Sequence, residues 1–160
     1  RGLGGRAAAG SAALARRRAG VEADDDAFVA LTHASGVRSH LRMSAVAARP
    51  GPRLRLLGTA GAYTKWGLDV QEAALRAGER PGGRGWGVEP ESQWGTVGVG
   101  EEEHPVPTEP GDYGAFYAEV GRAIRENAPP PVDPNDAVAA LRVIEAARRS
   151  AERGTVEKPQ

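Results

Sequence analysis

Lys65 stands in the run Ala62-Tyr63-Thr64-Lys65-Trp66. Side chains alternate along an extended chain, so Tyr63 and Lys65 share one face and Ala62, Thr64 and Trp66 the other. An ammonium on a strand beside aromatic neighbours is costly unless it reaches an acceptor, and a lysine held in that way can orient a polar ligand. Arg38 offers the fixed fork of guanidinium donors that suits hydroxyls or a carboxylate, set against the commoner role of a solvated strand arginine. The histidines, His33, His40 and His104, include no pair at the i, i+4 spacing of a helical metal site. His33 and His40 fall on strands that read as neighbours, where an imidazole satisfied within the sheet is favoured over a proton-transfer group. The acidic runs at residues 24–26 and 101–103 sit at turns, and solvation explains them better than cation binding. Asp69 and Glu72 stand at the spacing of a capping box, in which a cap and a reciprocal carboxylate satisfy the first turn of a helix.

The elements that must position these groups are legible in outline. Residues 7–18 are rich in Ala and Arg, which favours helix by propensity. Residues 27–32 are β-rich, and residues 37–47 alternate, placing Val37, Ser39, Leu41, Met43 and Ala45 opposite Arg38, His40, Arg42 and Ser44. Two antiparallel strands joined near Gly36 follow. Pro50, Gly51 and Pro52 mark a turn before a strand at residues 53–57. Gly67 then lets the strand at 62–66 turn into a helix at 70–77, closed by Gly78 and followed by Pro81. Residues 82–100 read as an ordered loop, because Trp86 and Trp94 are poor components of a flexible linker, and residues 96–99 with Val106 read as one more edge pair. Tyr113, Phe116, Tyr117, Val120 and Ile124 recur at helical spacing, which predicts a helix over 112–127 with that stripe on the sheet. Asp133 and Pro134 open a last helix with the stripe Val138, Leu141, Ile144, Ala147 and Ala151, ended by Gly154. Strands first and helices afterwards predict an α+β class: an open, mainly antiparallel sheet with the helices packed on one face.

Composition narrows the function classes. The 160 residues suit one domain with a substantial core. With 21 basic and 21 acidic residues there is no net field to hold nucleic acid or an anionic membrane, so neither partner is expected. The absence of cysteine removes disulfides and thiolate metal sites and is compatible with a reducing cytoplasm, the expected location. No apolar run reaches bilayer length, and the opening residues lack the apolar core of a signal peptide. Gly2, Gly4 and Ala7 match G-x-G-x-x-A, but no strand precedes them, so the pattern is not read as a phosphate-binding turn.

Residues 58–72, GTAGAYTKWGLDVQE, resemble the G-x-x-G-x-x-x-K-aromatic-G-L-D-x-Q-E segment of the glucose-fructose oxidoreductase, inositol dehydrogenase and MocA family, in the branch similar to scyllo-inositol dehydrogenases. The stretches at residues 24–41, 51–59, 86–87, 111–117 and 129–150 follow in the family's order. The resemblance implies that residues 1–160 form a single C-terminal substrate and oligomerisation domain of a longer polypeptide, an opening strand at residues 7–18 in place of a helix, and NAD or NADP bound mainly by an N-terminal domain outside this chain. It implies hydride transfer between nicotinamide and a sugar, inositol or related polyol. Residues 155–157 read as a returning strand, whereas residues 157–159 spell the EKP tripeptide whose lysine is catalytic in that family; there it belongs to the dinucleotide-binding half, and here a frayed tail is expected. The family's aspartate and histidine precede the sheet, so no catalytic residue and no cofactor or metal ligand is assigned. Residues 35–40 and 111–113 resemble the family's substrate-contacting places, which adds Arg38, His40 and Tyr113 to Lys65, singled out by its cost on a strand, as the expected substrate-binding residues. A homo-oligomer through the open sheet face, which carries Leu41, Met43 and Leu57, is also expected. The alternative is a non-catalytic module whose sheet mediates protein association.

Overall fold

In chain order the elements are strands β1 (Ala7–Ala15), β2 (Asp26–His33), β3 (Arg38–Ser44), β4 (Leu54–Leu57) and β5 (Ala62–Lys65), helix α1 (Val70–Arg76), a 3-10 turn (Glu91–Gln93), strands β6 (Gly95–Val99) and β7 (Glu102–Val106), and helices α2 (Tyr113–Glu126) and α3 (Pro134–Arg153). They come from a computed structural model that describes residues 5–160. The α+β class and the antiparallel pairing are as expected, but the strands divide into two sheets, β1-β2-β3 and β4-β5-β6-β7. Contacts gather the chain into two compact units, one of residues 5–48 with 132–160 and one of residues 49–131.

In the first unit β2 is central, with Ala12, Val29 and Leu41 in register across the three strands. Strand pairing overrides the helix propensity of the Ala-rich β1. Helix α3 lies against β1 and buries the small residues Ala146, Ala147 and Ser150. Its cap is as expected: Asp133 accepts from the N–H of Asn135, Pro134 opens the first turn, and Gly154 ends the helix at φ 66°. The expected stripe is only partly covered, since Val138, Leu141 and Ile144 are exposed while Ala147 is buried.

The C-terminal segment is not a frayed tail. Gly10 and Glu157 exchange two backbone hydrogen bonds of 2.9 Å, and the Glu157 carboxylate faces Arg149 at 3.6 Å and Arg153 at 3.4 Å. Ser150 Oγ accepts from the Ala12 N–H at 3.0 Å and donates to the Thr155 carbonyl at 2.6 Å. These bonds occupy the edge of β1 that β2 leaves open. The acidic run at 24–26 is likewise more than solvated charge. Asp24, Asp25 and Asp26 pair with Arg16, Arg18 and Arg17, and the Asp25 carboxylate, buried, accepts from the backbone N–H groups of Arg17 (2.6 Å) and Arg18 (3.2 Å).

In the second unit the side chains buried from solvent are Gln71 and Glu89, both polar. Helix α2 buries none of its residues, and Tyr117 and Ile124 are 72% and 79% exposed, so its apolar stripe is not covered as expected. Helical periodicity tells which side of a helix is apolar; it does not tell whether anything lies on it. Tyr63 lies across Gly95, where a Cβ would fall 2.2 Å from the tyrosine oxygen, so this position must be glycine for the ring to cross the sheet. Among the described residues no helix is long and apolar enough to cross a membrane.

Candidate functional site

Lys65 ends β5, and its ammonium lies 2.6 and 2.7 Å from the two oxygens of Glu89 and 2.5 Å from the Gln93 carbonyl. The partner that a strand lysine requires is thus a carboxylate 24 residues on, whose side chain is only 5% exposed. Burial works to raise the Glu89 pKa, but the Lys65 ammonium and the Thr108 hydroxyl dipole outweigh it and hold the carboxyl below its usual range. Thr108 Oγ1 itself is buried without a partner of ordinary hydrogen-bond geometry among the described residues.

The loop between α1 and β6 is ordered by its two tryptophans. Trp94 Nε1 donates to the Glu89 carbonyl at 3.1 Å, and Trp86 Nε1 donates to Gln71 Oε1 at 2.7 Å. Gln71, only 1% exposed, joins three segments: its Oε1 also accepts from the Tyr113 N–H at 3.0 Å, and its Nε2 donates to both oxygens of Asp69. Asp69 caps α1 by accepting from the Gln71 N–H at 2.9 Å. The reciprocal arm of the expected capping box is absent, because Glu72 turns instead to the Tyr113 hydroxyl, which donates to it at 3.0 Å. That hydrogen bond, with burial and the charges of Glu72 and Asp69 behind it, raises the Tyr113 pKa, so the phenol keeps its proton. Gly87 and Gly111 meet backbone to backbone, with a 3.1 Å hydrogen bond, and a Cβ on Gly111 would strike Asp69 and Gln71 at 2.3 Å.

These residues surround a cleft of about 370 Å³, lined by Lys65, Asp69, Glu72, Glu89, Thr108 and Tyr113, with Arg53 and Glu109 also on its walls. Chemically it presents a neutral phenol, an internally neutralised Lys-Glu pair and several carboxylates, a set suited to accepting hydrogen bonds from a bound molecule.

Two of the four expected site residues, Lys65 and Tyr113, are brought to this cleft. Arg38 and His40 lie on β3 of the other unit, both exposed; the His40 ring is 5.8 Å from that of Phe28 at a tilt of 55°. His33 is satisfied within its unit: Nδ1 lies 3.0 Å from the Gly5 carbonyl and Nε2 2.8 Å from Ser39 Oγ. A carbonyl can only accept, so Nδ1 carries a proton toward Gly5. Sequence reasoning missed Gln71 and Glu89. Gln71 lay inside a recognised motif with no sign of its burial, and the cost of burying Lys65 called for an acid without saying which.

Residues 3–158 match the family model described as oxidoreductase family, C-terminal alpha/beta domain. The chain is 34% identical over 104 residues to the scyllo-inositol 2-dehydrogenase (NADP(+)) IolW of Bacillus subtilis, covering 62% of this chain and 29% of that protein. It is 33% identical over 140 residues to the uncharacterised oxidoreductase YdgJ of Escherichia coli, covering 86% and 40%. Among solved structures, the oxidoreductase yvaA of Bacillus subtilis superposes with a TM-score of 0.87 at 26% identity, covering 97% of this chain and 46% of that one. An oxidoreductase of Bacteroides fragilis gives 0.84 at 33%, covering 98% and 48%. The chain therefore spans less than half the length of each of these relatives.

Proposed function

Because the chain belongs to the glucose-fructose oxidoreductase, inositol dehydrogenase and MocA family, as its C-terminal α/β domain, we propose that the protein containing it is an NAD(P)-dependent oxidoreductase that transfers hydride between nicotinamide and a sugar, inositol or related polyol. The name of the relative IolW, an NADP(+) enzyme of scyllo-inositol, supports the polyol reading. Family membership also favours an enzyme over the non-catalytic association module.

The G-x-G-x-x-A match does not fit a phosphate-binding turn. Its Gly2 and Gly4 lie outside the described residues, and Ala7 opens β1, whereas a phosphate-binding turn must open a helix. No step of the hydride chemistry is assigned to the described side chains. Their proposed part is to hold and select the substrate, Tyr113 at the cleft and Lys65 by fixing Glu89 and the wall at Gln93; Arg38 and His40, on strand β3 of the other unit, are given no part in this cleft. The observation that carries this reading is the convergence of Lys65-Glu89 and Glu72-Tyr113 on one cleft. We further propose assembly of identical subunits through an exposed sheet face. Leu41 and Met43 lie on the first sheet and Leu57 on the second, so the surface expected to be continuous is distributed over two sheets.

The test is oxidation of a panel of inositols and aldoses by the intact protein with NAD and with NADP. Turnover of at least one polyol is expected, and Tyr113→Phe should lower kcat/KM unequally across the panel. No turnover of any polyol with either cofactor overturns the proposal.

A further inference from the structure

Resting on the reading of this cleft as substrate-facing, we infer that it selects ligands by charge, accepting a donor-rich ring that is polyhydroxylated or aminated and rejecting the same ring bearing a phosphate or carboxylate. Four carboxylates, Asp69, Glu72, Glu89 and Glu109, face two cations, Arg53 and Lys65. The Lys65 donors are already spent on Glu89 and Gln93, so this cation is not free to meet an anion. What remains unspent is mostly acceptor capacity. Tyr113 gives its proton to Glu72 and has only oxygen lone pairs to offer a ligand. Glu109 makes no ion pair or hydrogen bond among the described residues, and the Thr108 hydroxyl, buried in the wall without a partner of ordinary geometry, offers two lone pairs against one proton.

Donors are the scarcer resource. Arg53, exposed and without an ion pair among the described residues, is the remaining source of positive charge on the walls. A hydroxyl or ammonium group brought into this cleft supplies the protons its oxygens lack, whereas a phosphate brings more acceptors and more negative charge, and like charges in a partly enclosed site repel. The raised pKa of Tyr113, caused first by its hydrogen bond to Glu72 and also by the charges of Glu72 and Asp69, reports the same negative surroundings.

The experiment measures binding to the intact protein without cofactor, by calorimetry, of three probes that share one ring: inositol, an aminodeoxyinositol and inositol monophosphate. The phosphate should bind at least about tenfold more weakly than the other two. Glu109→Gln, an exposed change, should shrink that penalty about fivefold, and Arg53→Gln should enlarge it by a similar factor, since one removes a negative and the other a positive wall charge. Equal binding of the phosphate, absence of binding by all three probes, or shifts of the same sign in the two variants overturn the inference. Turnover of polyols with an unchanged phosphate penalty in both variants sinks this inference and leaves the oxidoreductase reading intact. The predicted binding order with no turnover on any substrate does the reverse.

Discussion

Gln71 spends its side-chain amide inside the protein, accepting from Trp86 and Tyr113 and donating to Asp69, at 1% exposure. Replacing it by leucine would strand an indole N–H and a backbone N–H, each roughly 1–3 kcal/mol when buried without an acceptor. Gln71→Leu should therefore lower the urea midpoint substantially, and a variant as stable as the parent would show that water or a rearranged loop replaces the amide. Asp25 supports a prediction in pH. Its carboxyl is held at about 2 against an ordinary 3.8, first by the Arg17 N–H and then by the Arg18 side chain. The unfolded chain thus takes up the proton first, so the stabilisation is complete above 3.8 and is lost as pH falls toward 2. Denaturant melts across that window should show a smaller loss for Asp25→Asn than for the parent; parallel curves would remove Asp25 from the acid response.

At the scale of elements, the crossing of Tyr63 over Gly95 makes a sharp test. A methyl there would meet the phenol ring at 2.2–2.6 Å, so Gly95→Ala should expel the ring or part β5 from β6, at a cost of about 1–3 kcal/mol typical of overpacking. Increased amide exchange at Tyr63 and Val97 would report it, and unchanged exchange would show that the ring moves freely. The strands themselves were largely readable, because period-two alternation is a local signal: β3, β5 and the β6-β7 pair fall where alternation and turn residues put them. The caps at Asp69 and Asp133 were readable because they too are local signals, whereas the cap that Asp112 supplies to α2 went unread. What was not readable is long-range. Pro50, Gly51 and Pro52 announce a turn, but nothing local says that β4 begins a second sheet. The stripes of α2 and α3 announce an apolar side without its cover. Lys65 announced its need for a partner, yet Glu89 became its partner only through a loop that two indoles hold in place.

For the whole molecule, the spans of 29% and 40% of the curated relatives set what this chain can be asked to do. Tight dinucleotide binding of the doubly wound kind uses a glycine turn that presents a helix N-terminus to the pyrophosphate, with a carboxylate on the ribose. In this chain the matching pattern runs into a strand, and its last residue, Ala7, faces His33 across β1 and β2. The helix that does follow a strand closely, α1, has its opening amides already engaged: Asp69 takes the Gln71 N–H on its side chain and the Glu72 N–H on its carbonyl. A pyrophosphate approaching that end would also meet the negative charges of Asp69 and Glu72. The chain by itself should therefore bind neither NAD nor NADP with useful affinity, while the intact protein should bind one of them. Calorimetry on both samples decides it. Micromolar binding by the chain alone would mean that the sheet face or the cleft holds the dinucleotide directly, and absence of binding by the intact protein would remove the cofactor from the proposed function altogether.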